Sequence, residues 1–153
     1  MGCIYNSAVL ISDQGEILNH QRKVSPSHPS RRVRLVFSID YQQLVPTFYE
    51  KLVWANGDGA GLNVVDTERC GKVGALLCGE NTNPLARWSL MAQGEQLHLT
   101  TWPPLWPTRR MSGGGKQYDN LAANRTRTAA HCFEAKCFGV LCSGFMDKEM
   151  RGA

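Results

Sequence analysis

A chain of 153 residues, 42% hydrophobic and 20% charged, is long enough for one domain that buries roughly 70% of its unfolded surface, and its composition excludes a disordered or collagen-like polymer. No apolar run approaches the roughly 18 residues of a membrane-spanning helix. The formal charge of +4 is modest and owes part of its excess to Arg31, Arg32 and Arg34, so it singles out neither nucleic acid nor a membrane surface as a partner.

Taken in order, Tyr5 to Ile11 is rich in apolar and β-forming side chains, Ser12-Asp13-Gln14-Gly15 supplies turn chemistry, and Glu16 to Arg22 runs back. This predicts a hairpin, ending at His20-Gln21-Arg22-Lys23. From Val24 to Gln43 the character changes to a Ser/Pro-rich and then arginine-rich stretch, with Leu35 to Ile39 able to form a short strand. Leu44 to Lys51 is a compact apolar loop holding one carboxylate, Glu50, and Trp54 to Gly61 is dense in turn residues. Leu62 to Val65 is expected as a strand, Asp66 to Gly71 as a turn, and Lys72 to Leu77 as the strand that leads into Cys78.

Asn83 is a plausible helix N-cap with Pro84 at the first helical position, and Leu85, Trp88, Met91 and Ala92 recur at helical spacing until Gly94. These apolar residues are expected in the core. Gln96 to Thr101 alternates as the next strand, and Trp102 to Pro107 forms a stiff loop able to wall a pocket. After the joint Gly113-Gly114-Gly115, Asp119 or Asn120 caps a helix to about Lys136, with Leu121, Ala122, Ala129, Cys132 and Phe133 as its apolar side. Cys137 to Cys142 is expected as a final buried strand. Hairpin first, then alternating strand and helix, predicts an α/β architecture.

Six cysteines in a chain of this size with no signal-peptide pattern predict reduced thiols and a cytoplasmic location. The spacing of Cys132, Cys137 and Cys142 does not match zinc-type CxxC pairs, and no histidine stands at a metal-ligand interval, so no metal is expected. Cys78 stands apart from the others. It closes an apolar strand, and a polar turn and a proline-initiated helix follow, which leaves its thiol at a strand-to-helix corner. The helix N-terminus there favours a thiolate or an oxyanion, although position alone favours a buried structural thiol.

Several blocks together resemble the nitrilases of the carbon-nitrogen hydrolase superfamily. Cys78 through Arg87 (CGENTNPLAR) looks like the nucleophile motif, and Met91 through Gln96 (MAQGEQ) continues the match. Pro46 through Lys51 and Gly57-Asp58-Gly59 resemble the family's upstream loop, and Asn124 through Lys136 with Cys142-Ser143-Gly144 its late helix and strand. The resemblance implies an α-β-β-α sandwich, of which residues 1–153 would be part. It also implies hydrolysis of a small-molecule nitrile to a carboxylic acid and ammonia through a covalent cysteine thioimidate, with no cofactor, no nucleic-acid or membrane partner, and homo-oligomers of full-length members. Cys78 maps to the nucleophile. Lys23 maps to the lysine that stabilises charge in the tetrahedral species, and Glu50 to a second glutamate beside that lysine. Glu80 and His131 are expected to be structural hydrogen-bonders.

Three departures accompany the match. No residue maps to the family's general-base glutamate, and the family's later sheet and helix have no counterpart, so the 153-residue chain itself is expected to be incomplete and inactive. Residues 24–43 separate blocks that family members read consecutively; the segment is expected to be a non-family insert, either a surface loop or a retained intron, since Val24-Ser25 can be encoded GTGAGT and Gln43 CAG. The alternatives are an amide hydrolase of the same superfamily and a non-catalytic fragment that only associates with full-length subunits.

Overall fold

The computed structural model of the protein describes residues 8–21, 38–39, 59–102, 119–144 and 147–151. The predicted hairpin is β1 (Ala8–Ile11) and β2 (Ile17–Gln21), paired antiparallel. Its turn closes because Ser12 Oγ accepts from the backbone N–H of Gln14 at 3.2 Å and of Glu16 at 3.0 Å, while Gly15 takes φ 84°, a conformation that favours glycine. β3 (Ser38–Ile39) lies antiparallel on the other side of β1. It comes from within the segment 24–43, whose remaining residues lie outside the described ones.

The second sheet has the order β4 (Val65–Thr67), β5 (Gly71–Leu77), β6 (Leu97–Trp102), β7 (Phe138–Ser143). β4 runs antiparallel to β5, and the other neighbours are parallel. The strand expected over Leu62 to Val65 is shifted toward the C-terminus. Asp66 and Thr67 pair with Lys72 and Gly71, because the Thr67 hydroxyl accepts from Cys70 N–H at 3.0 Å and donates to Gly71 C=O at 2.7 Å, confining the turn to the residues between.

The two sheets face each other. Leu10 packs with Val73 and Leu99, and Leu18, Val65, Ala75 and Leu97 surround them. On the opposite face of β5, Leu76 packs with Ala86 and Leu90 of the first helix. A strand buried on both faces explains the unbroken apolar run that precedes Cys78. Sheet, sheet and helix are thus three successive layers of the expected α-β-β-α sandwich.

Helix α1 (Pro84–Ala92) starts as its sequence indicates: Asn83 Oδ1 accepts from Leu85 N–H at 3.0 Å and from Ala86 N–H at 3.4 Å, with Pro84 leading. Its buried residues, however, are Ala86 and Leu90, while Leu85 and Trp88 are exposed by 77% and 66%. Helix α2 (Asn120–Ala135) is capped by Asp119, whose Oδ1 accepts from Ala122 N–H at 2.9 Å, and stops at Lys136 in the left-handed conformation. Here too the buried face is not the apolar one. Asn124, Thr128 and His131 are inside, and Phe133 is exposed by 75%. β7 is likewise not the buried strand expected, because it is an edge of the described sheet and leaves Phe138 exposed by 83%. A short helix, α3 (Lys148–Arg151), follows.

Candidate active site

Cys78 follows β5 directly and opens a 3-10 turn, Cys78–Thr82. The carboxyl ends of parallel strands are where α/β sheets present ligand sites, and the half-buried thiol sits at such an end. Its backbone has φ 45°, one of two non-glycine residues with positive φ among those described. A non-glycine residue in this region costs on the order of 1–3 kcal/mol and persists only where neighbours over-determine it.

Those neighbours are polar and buried. Glu80 Oε2 accepts from Leu77 N–H at 2.9 Å and from Gln21 Nε2 at 3.4 Å. The side chain of Asn81 donates from Nδ2 to the carbonyls of Leu76, at 3.1 Å, and Cys78, at 3.2 Å. The residue before Cys78 and the two carbonyls around it are thereby held by side chains from its own turn. Glu80 also joins the corner to the end of β2, where Gly61 lies against the backbone of Gln21 and Asn19 Nδ2 donates to Gly61 C=O at 3.1 Å. Lys23 and Glu50, the other expected site residues, lie outside the described residues.

Behind Asn81 is a buried cluster that the sequence pattern did not reveal. His98 Nε2 is 3.0 Å from Asn81 Oδ1, and His98 Nδ1 is 2.8 Å from Glu95 Oε1. The second oxygen of Glu95 is 2.6 Å from His131 Nε2 on α2. All three side chains are essentially inaccessible to solvent. Gly74 makes room for the carboxylate, since a Cβ at that position would collide with Glu95 Oε1 and crowd Leu90 Cδ1. Glu80 and His131 act in hydrogen bonds, as expected of them. Glu95 and His98 were missed: the first stood inside the MAQGEQ block, and the second alternated like the solvent face of a strand.

The hydrogen-bond pattern settles where the protons lie. Both carbonyls beside Asn81 are acceptors, so the group facing them is the amide NH2, and its oxygen faces a His98 Nε2 that must carry hydrogen. One proton then lies between His98 Nδ1 and Glu95 Oε1, and one between His131 Nε2 and Glu95 Oε2, because bare lone pairs at these distances would repel. Burial raises the pKa of the Glu95 carboxyl, but the hydrogen bonds from His131 and His98 outweigh it and hold the group below its usual range. The pair holds one proton along its contact and resists taking a second.

Glu95, His98 and His131 also have the donor types of a metal centre, with their ligating atoms within 4.8 Å of one another. His98 Nδ1, His131 Nε2 and both Glu95 oxygens are already engaged in the hydrogen bonds above, and the two imidazoles are stacked with nearly parallel planes, so their lone pairs do not converge on one point. None of the five described cysteines forms a disulfide. Burial raises the pKa of Cys132, Cys137 and Cys142, that of Cys137 to about 12, which disfavours these three as nucleophiles.

Residues 2–149 match the family model of the carbon-nitrogen hydrolases. A nitrilase of Penicillium rubens is 28% identical over 151 residues, covering 97% of this chain and 39% of its own length. A cyanide hydratase of Stereum hirsutum is 41% identical over 101 residues, covering 65% of this chain and 22% of its own. A carbon-nitrogen hydrolase from Helicobacter pylori G27 shares the fold with a TM-score of 0.65 and 20% identity, over 99% of this chain and 45% of that one. The chain therefore spans less than half the length of these relatives. With an α/β sandwich, a cysteine at the strand-to-helix corner and a family match over nearly its whole length, this chain belongs to the carbon-nitrogen hydrolase family.

Proposed function

We propose that Cys78 is the nucleophile of a nitrile-converting reaction. The observation that carries this reading is the backbone of Cys78: a strained, left-handed residue at the carboxyl end of a parallel strand, fixed on both sides by buried Glu80 and Asn81. The sulfur adds to the nitrile carbon, one C–N π pair moves to nitrogen, and nitrogen takes up a proton, which leaves a thioimidate. Water adds to that carbon to give a tetrahedral species. Loss of ammonia leaves a thioester, and a second water releases the carboxylic acid and the thiol. In this reading Lys23 stabilises the charge that develops on nitrogen and oxygen, and Glu50 orients Lys23.

The likeness to a cyanide hydratase at 41% identity supports a second outcome from the same intermediate. If the tetrahedral species expels the thiol instead of ammonia, the product is the amide. The two outcomes share the addition step and differ only in the leaving group.

The test is incubation with a small nitrile, its matched amide, and cyanide, followed by peptide mass spectrometry and product analysis. A nitrile-derived adduct on the Cys78 peptide, absent in Cys78→Ala, is expected. Acid with ammonia supports hydrolysis, amide supports hydration, and an adduct without turnover supports the nucleophile role in a chain that is itself inactive. An adduct from the amide alone, or none on Cys78 from any of the three, overturns the reading.

A further inference from the structure

The buried cluster has no role in the reaction as written, yet it touches the turn that carries Cys78. We propose that His98, held by Glu95, is a positioning residue for Cys78: its Nε2–H fixes the Asn81 amide, which in turn fixes the carbonyls on either side of the nucleophile strand end. The proposal rests on the reading of Cys78 as nucleophile and adds to it the residues that hold the thiol in place.

The argument starts from the amide. Asn81 could in principle face Leu76 and Cys78 with either end of its side chain. Presenting Oδ1 would set three acceptors against one another and leave the NH2 against His98. An imidazole N–H at 3.0 Å from Oδ1 removes that option, provided the imidazole itself does not turn. Glu95 prevents the turn by engaging His98 Nδ1 at 2.8 Å, and His131 prevents Glu95 from turning by engaging its other oxygen. The chain of contacts runs from helix α2 to the backbone of Cys78 through four buried side chains, and each orients the next.

The consequence at residue 78 is geometric. With its carbonyl held inward by Asn81 at 3.2 Å, the trans peptide that follows directs the Gly79 N–H the opposite way, outward from the Asn81 side. The same bond opposes relaxation of φ 45° toward the ordinary helical or extended regions. Loss of the His98 donor frees the amide, and the turn loses the anchor that Asn81 supplies, while Glu80 and Thr82, whose Oγ1 donates to Gly79 C=O, still hold it.

The test compares wild type, His98→Leu and His98→Gln in the full chain. Leucine removes both ring nitrogens, whereas the glutamine amide can place an N–H close to the position of Nε2. The readout is the iodoacetamide alkylation rate of each cysteine, resolved by peptide, with Cys70, Cys132, Cys137 and Cys142 as internal references, alongside the thermal unfolding midpoint. In His98→Leu the Cys78 rate is expected to change by about tenfold while the other four stay within about twofold, and His98→Gln is expected to restore it. A Cys78 rate unchanged in His98→Leu overturns the proposal. So does a parallel change in all five cysteines, which would report general loosening of the fold, and so does a His98→Gln variant as impaired as His98→Leu. Stoichiometric zinc in the purified wild type, lost in His98→Leu, would also overturn it by replacing the hydrogen bonds with metal ligation. Alkylation needs no nitrile, so failure of the Cys78 adduct experiment with an intact His98 dependence would reject the reaction and leave the positioning role standing.

Discussion

His98 and His131 lie face to face with ring centroids 3.7 Å apart and planes 20° from parallel, and a single carboxylate, Glu95, is bonded to the edge of each. Two imidazolium rings could not share that stack, because like charges at this separation in a buried site repel strongly. The cluster is therefore built for a fixed, small number of protons. That number links it to pH.

Stability is expected to fall as pH drops below about 4.5, the ordinary value for a glutamate carboxyl. The sign follows from the shift: the folded-state pKa of Glu95 lies below its usual value, so across this range the unfolded chain binds more protons and stability rises with pH. The Glu95 contribution is complete above its usual value and is lost as pH falls toward the lower folded-state value and the carboxylate is protonated. The groups that face Glu95 are His98 and His131, whose hydrogen bonds outweigh the effect of burial. Unfolding midpoints from pH 8 to pH 4 for wild type and Glu95→Gln check this, with a flatter profile expected for the variant.

Glu95→Gln and Glu95→Ala are expected to behave very differently. Glutamine can donate to His98 Nδ1 and accept from His131 Nε2, so every hydrogen bond of the cluster survives without a charge. Alanine strands two buried imidazoles, and removing one member of a buried pair costs about 3–5 kcal/mol. Chemical denaturation of both variants should show a small loss for Gln and a large one for Ala.

Much of this organisation was legible in the residues, and the parts that were not share a cause. The corner at Cys78 was visible because the apolar run, the Asn83 cap and Pro84 are all local signals, and Asn83 does cap α1. The cluster was not visible because its members come from a strand, a helix and the link before that strand, and only the fold brings Glu95, His98 and His131 together. The helix faces misled for a related reason. α2 turns Asn124, Thr128 and His131 inward, since a polar residue satisfied by hydrogen bonds can be buried, whereas Phe133 on the other side remains exposed. Hydrophobic periodicity finds apolar faces, and around this site the buried face of α2 is polar.

Gly74→Ala is expected to destabilise the chain by about 1–3 kcal/mol, in the range for overpacking. The added methyl would point into Glu95 Oε1, with Leu90 Cδ1 close beside it. Neither neighbour can retreat cheaply: the carboxylate is bonded on both oxygens, and Leu90 is fully buried. A lowered unfolding midpoint would register the clash. A rise in the Cys78 reference-normalised alkylation change toward that of His98→Leu would show that it propagates along the cluster.

The strain at Cys78 can be measured without any substrate. At φ 45° a side chain beyond glycine carries a steric cost of roughly 1–2 kcal/mol, because Cβ approaches the following carbonyl oxygen. Glycine avoids that cost but loses more conformational entropy on folding, by roughly 0.5–1 kcal/mol. The difference favours Cys78→Gly over Cys78→Ala by about 1 kcal/mol, the reverse of what these substitutions do in a strand or helix interior. Both variants lack the thiol, so the comparison isolates the backbone from the sulfur. Denaturant unfolding of the pair checks it. A Cys78→Ala variant more stable than Cys78→Gly would mean that residue 78 does not hold the left-handed conformation, and the nucleophile would then need a different account of how it is presented.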